Sequence, residues 1–127
     1  MMSELPYTED NVTLVQDFLD ETKKRLSQGI DITYSRKASD EINELALNYD
    51  IEVVDIMDAI NNLTTENYFR GIDPSPQTDF QVCAFCTKVG KTSPEIYLKY
   101  GLEVNGLQIL LFSSHVPKYP MTQPFKN

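Results

Sequence analysis

Apolar side chains recur at helical spacing through the first half of this chain and at every second position through its last third. Val12, Val15, Phe18, Leu19, Thr22 and Leu26 share one stripe, which predicts a helix that Thr8 or Asp10 caps and Gly29 stops. Its acids come early and the run KKR (23–25) comes late, as the helix dipole favours. IDITYS (30–35) alternates, so it reads as a short strand or an extended connector. A second helix is expected from near Ala38 or Ser39, burying Ile42, Leu45 and Ala46 and broken by NYD (48–50). A third runs from about Ile51 to Asn62 on Val53, Val54, Met57 and Ile60.

After IDPSPQTD (72–79), a turn-rich loop, the period drops to two and predicts strands at about 80–88, 94–104 and 107–115. Asn105-Gly106 marks a two-residue hairpin, which sets opposite one another those residues whose numbers sum to 211. One face then holds Ile96, Leu98, Tyr100, Leu102, Val104, Leu107, Ile109 and Leu111, and the helices must cover it. The other holds Tyr97, Lys99, Glu103, Gln108, Phe112 and Ser114. The expected fold is α+β: N-terminal helices packed on a three-stranded antiparallel β-meander.

At 127 residues, 41% hydrophobic and 24% charged, the chain reads as one domain, 1–127, with an ordinary core. No apolar run reaches the roughly 18 residues of a membrane span, and MMSELPYTED lacks the build of a signal peptide, so the expected compartment is the cytoplasm. The net charge of −8 is uneven: residues 1–66 hold 15 acids and 5 bases, residues 67–127 only 4 acids and 6 bases. This excludes a general nucleic-acid binder and leaves room for an anion site in the C-terminal half alone. The second and third helices could suggest a helix-turn-helix, but residues 39–66 contain no Lys or Arg, so no direct DNA contact is expected. Cys83 and Cys86 form C-x-x-C inside a predicted strand, where positions three apart face opposite ways. With one histidine and no second cysteine pair there is no zinc set, and no metal or cofactor is expected.

Candidate chemistry gathers around the uncovered sheet face. Tyr97 and Lys99 share it, Gln81 lies on the neighbouring strand, Arg70 leads into the sheet, and His115 closes the last strand. Taken singly, these are a packing tyrosine, surface polar groups and a hydrogen-bonded histidine. Together they answer the needs of RNA cleavage: removing a 2′-hydroxyl proton, stabilising an anionic phosphorane and protonating the 5′-oxygen. His115 is the candidate acid or base, Tyr97 its partner, and Arg70 and Lys99 the phosphate contacts, with Lys88 and Lys118 as further RNA contacts. The 211 register places Ser114, not His115, opposite Tyr97; His115 joins that face only if FSSH (112–115) contains a bulge or the turn is effectively one residue longer. The prolines after His115 cannot extend the sheet, so pairing is expected to end there.

From about Arg36 to Lys126 the chain resembles bacterial endoribonuclease toxins of the motility quorum-sensing regulator (MqsR-like) type, within the RelE-like superfamily. The resemblance rests on RKASDEINELAL (36–47), NLTTENYFRGI (62–72), FQ (80–81), EIYLKY (95–100), LLFSSH (110–115) and the spacing H-x-x-x-x-P-M-x-x-P-F-K (115–126). Residues 1–35 lie outside it. It implies mRNA cleavage, growth arrest and a cognate antitoxin as protein partner. By position it puts Arg70 where the family has a functional lysine, Gln81 at a strand glutamine, Tyr97 at the tyrosine of the YLK strand, and His115 where other members place a lysine. The acidity leaves two other readings open: an immunity-like inhibitor of a basic nuclease, or an inactive toxin fold kept as an interaction module.

Overall fold

The computed structural model describes residues 4–72, 79–119, 121 and 123–125. The turn-rich loop expected before the strands falls largely on 73–78, outside the described residues, as do Pro120 and Lys126 of the tail pattern. The elements are α1 (Glu9–Ser27), β1 (Ile32–Tyr34), α2 (Arg36–Tyr49), α3 (Val53–Asn61), β2 (Tyr68–Gly71), β3 (Phe80–Lys88), β4 (Glu95–Glu103) and β5 (Ile109–His115).

The molecule is α+β, and the expected three-stranded meander is its centre rather than its whole. The sheet has five strands in the order β1-β5-β4-β3-β2, with β1 parallel to β5 and the remaining pairs antiparallel. IDITYS resolves as the strand of its two alternatives. YFRG (68–71), four residues with no readable alternation, supplies β2, which bulges at Phe69 as it pairs with β3.

Local chemistry accounts for the helix ends. The Thr8 hydroxyl accepts the Asn11 N–H at the start of α1, and Ser35 accepts the Ala38 N–H at the start of α2. Gly29 (φ 84°) turns the chain out of α1, and Asp50 (φ 55°) ends α2 in the left-handed region. In α3 the buried residues are Ile56 and Ile60, while Val53 and Val54 are exposed. Helix formation begins only after the Glu52–Asp55 capping box, which sets the phase differently from a helix begun at Ile51. Ala46 is likewise exposed; Ala38 takes the place expected of it.

The predicted core face holds from Ile96 to Leu102 and at Ile109 and Leu111, all buried, whereas Val104 and Leu107 lie beyond the strand ends and are exposed. Phe18 of α1 packs on Tyr100 and Phe85, and the Tyr100 hydroxyl is 2.9 Å from that of Thr22. Cys83 and Cys86 are buried thiols opposite Tyr100 and Tyr97, which alternate across the sheet. Burial pushes the Cys83 thiol well above its ordinary value.

Arg25, the last base of KKR, is buried: its Nε donates to Glu21, and its two terminal nitrogens donate to the Glu103 and Gln108 carbonyls at the β4–β5 turn. Arg25→Ala takes the side-chain donor from both carbonyls, of which that of Gln108 keeps the Glu103 N–H (2.9 Å), and is expected to cost about 1–3 kcal/mol, read as a lower urea midpoint at unchanged m-value. No helix among the described residues is long and apolar enough to cross a membrane.

Candidate functional site

The position of the lone histidine is decided by one extra residue. Near the turn, β4 and β5 keep the expected register, Leu102 facing Ile109, Gly101 facing Leu110 and Tyr100 facing Leu111. Beyond it the partners become Lys99–Ser113, Leu98–Ser114 and Tyr97–His115, so Phe112 is left over as a bulge. Ser114 is thereby turned inward and fully buried, and His115 comes to the face of Tyr97. The two rings stack, centroids 4.9 Å apart and planes 26° from parallel.

The start of α2 accounts for the bulge. Ser35, at the end of β1, donates its N–H to the Leu111 carbonyl (3.0 Å) and its hydroxyl to the Phe112 carbonyl (3.1 Å). The chain then turns into α2, which lies along β5 where a longer β1 would have paired. From α2, Glu41 Oε1 accepts the Ser113 hydroxyl (2.9 Å) and the Ser114 N–H (3.1 Å). A helix carboxylate therefore replaces the missing strand partner.

His115 Nδ1 lies 3.1 Å from the Val116 carbonyl. A carbonyl can only accept, so Nδ1 carries the hydrogen and Nε2 is left to exchange a proton. The Tyr97 phenol is raised from its ordinary value, chiefly by burial; the Arg70 guanidinium lowers it, and Glu41 and Cys83 raise it further. It stays protonated at neutral pH and serves as a hydrogen-bond donor.

Phe69 meets Tyr97 edge-on at 6.0 Å, and the Arg70 guanidinium lies 4.7 Å from the Phe69 ring centre. The Lys99 ammonium is 5.9 Å from the Phe112 ring, which packs edge-on against Phe80 across Gly101. A Cβ at Gly101 would come within 3.0 Å of the Phe112 ring and of the Phe80 Cβ, so glycine is what allows the two side chains to close over the strand.

Tyr97, His115 and Lys99 thus share one face, with Arg70 reaching its edge over Phe69. Lys118 lies past His115, lining with it a hollow of about 410 Å³ against α2. Gln81 does not join them. It pairs with Leu102 of the core face and lines a hollow with Asp17, Glu21 and Arg25 of the α1 side. Strand parity is the reason, since Gln81 is an odd number of residues from Ala84 and Cys86, which face Lys99 and Tyr97. Lys88 is also apart, opposite Glu95 and beside Asp55 and Asp58 of α3. Glu41 and Phe69 belong to the cluster without having been legible in it. Glu41 is one of three acids on α2, and Phe69 reaches Tyr97 through the bulge in β2. No protein-family model matches the chain, and no curated protein matches it.

Proposed function

We propose that this protein is an endoribonuclease that cleaves RNA through its own 2′-hydroxyl, a toxin of the MqsR-like type within the RelE-like superfamily, held in check by a cognate antitoxin. The observation that carries the reading is the stacked Tyr97–His115 pair, created by a bulge, with two cations on the same face. His115 Nε2 exchanges one of the protons that the reaction moves. The neutral Tyr97 phenol orients the imidazole and donates to a phosphate oxygen. Arg70 and Lys99 offset the charge that gathers on phosphorus, Arg70 as a fork suited to two oxygens. Phe69 offers an aromatic surface for a flanking base. The resemblance over residues 36–126 supports the same assignment and is the source of the antitoxin and of mRNA as substrate.

The purified chain, incubated with a mixed-sequence RNA, is expected to release fragments ending in 2′,3′-cyclic phosphate and 5′-hydroxyl. Its induction in a bacterium is expected to arrest growth. Intact RNA at micromolar protein would overturn the proposal. A second reading is favoured by the acidic surface of α2 and α3, where Leu47 (85% exposed) and Val54 (54%) stand among carboxylates. That surface suits an inhibitor of a basic nuclease, and harmless expression together with tight binding to such a protein would select it.

A further inference from the structure

Cleavage through the 2′-hydroxyl moves two protons at different places. The 2′-oxygen must lose one as it attacks, and the departing 5′-oxygen must gain one on the far side of phosphorus. A single imidazole cannot reach both oxygens of an in-line displacement at once. Tyr97, kept neutral by burial, is a poor base. The reaction therefore calls for a second proton-transfer group beside His115.

We infer that Glu41 is that group: its carboxylate takes the 2′-hydroxyl proton, and the hollow between α2 and the end of β5 seats the ribose that carries it. The inference rests on the ribonuclease reading above. Glu41 is half-buried, and among the described residues both of its hydrogen bonds fall on Oε1, from the two residues that immediately precede His115, which leaves Oε2 for a ligand. Glu41 and His115 line the same hollow. Lys37 and Lys118 bring positive charge to it, Glu44 is the second acid on its wall, and Tyr49 adds an aromatic surface. On β4, the Tyr97 phenol is close enough to feel the charge of Glu41.

In the step itself the 2′-hydroxyl proton passes to Glu41 Oε2 as the 2′-oxygen bonds to phosphorus. The bond from phosphorus to the 5′-oxygen breaks, and that oxygen takes a proton from Nε2 of the His115 imidazolium. A 2′,3′-cyclic phosphate and a 5′-hydroxyl leave, and exchange with water returns the proton from Glu41 to solvent and another to His115.

Glu41→Gln is the test, because the amide oxygen can still accept from Ser113 and Ser114 while the base is gone. Cleavage is expected to fall by a factor of about 10²–10⁴. The Kd for an RNA carrying 2′-O-methyl groups throughout should stay within threefold of the parent. The Tyr97 titration, followed by ultraviolet absorbance, should move to lower pH as the neighbouring negative charge disappears. If Glu41→Gln cleaves within a few-fold of the parent while His115→Ala is inactive, the role of Glu41 is wrong and the ribonuclease reading stands. Activity lost together with RNA binding, or with Tyr97 titrating where it did before, also overturns it. A parent protein that cleaves no RNA removes both.

Discussion

His115→Ala is expected to slow RNA cleavage by a factor of about 10²–10⁴, the range that one positioned proton-transfer group contributes. The substitution removes Nε2, the imidazole nitrogen left to exchange a proton, whose neighbour Nδ1 is tied to the Val116 carbonyl. Its structural cost is small by comparison. The imidazole is half-buried, and what the fold loses is chiefly one aromatic contact with Tyr97, worth about 0.5–1.5 kcal/mol. Single-turnover cleavage at saturating protein, beside a thermal melt of the same preparation, separates the two effects. Full activity in a folded variant would remove His115 from the mechanism. Tyr97→Phe keeps the ring stack and loses only the donor, so it should fall between the parent and His115→Ala.

Tyr68→Ala is expected to destabilise the fold by about 3–5 kcal/mol, as large aromatic truncations in a packed core do. Tyr68 is fully buried, stacks on Phe125 at 4.7 Å and meets Phe85 edge-on. Its hydroxyl accepts the Leu5 N–H at 3.2 Å and donates to the Gly71 carbonyl at 3.1 Å. One side chain therefore ties the segment before α1, the strand β2 and the returning tail together. Tyr68→Phe, which preserves the rings and drops both hydrogen bonds, should cost about 1–2 kcal/mol. Urea unfolding of the two variants separates ring packing from hydrogen bonding, and equal midpoints for them would show that the hydroxyl, not the ring, dominates.

The tail shows how the chain continues once the prolines end the sheet. Pairing does stop at His115, and the chain then returns across the sheet end, where Gln123 donates to the Cys86 carbonyl and Phe125 is buried on Tyr68. The end of β5 is thus held on one side by α2 and followed on the other by a tail anchored two strands away.

Period and punctuation made the elements legible. The stripe of α1, the strands β3 to β5 and the hairpin register near Asn105-Gly106 all follow from alternation and turn chemistry that act within a few residues. The edge strands were harder to read because they are short. β2 has four residues and a bulge, and what defines it is pairing with a strand more than ten residues later. The site depended on the same kind of distant interaction. Whether Tyr97 faces Ser114 or His115 turns on Phe112 standing out of register, and that follows from Ser35 and Glu41 binding β5 from another element. Gln81 was misplaced for a simpler reason: it is on the right strand but one residue out of phase with the face that carries Tyr97.

The carboxylate of Glu41 has a further consequence, for how this sheet behaves at high concentration. A sheet border with unpaired amides is a template on which other chains can dock and aggregate. Here the outermost strands have three and four residues, and the stretch of β5 that β1 leaves uncovered has its Ser114 amide occupied by Glu41. Removing that side chain altogether, as in Glu41→Ala, would open a short adhesive seam, and slow fibril or oligomer growth in such a variant would be its sign.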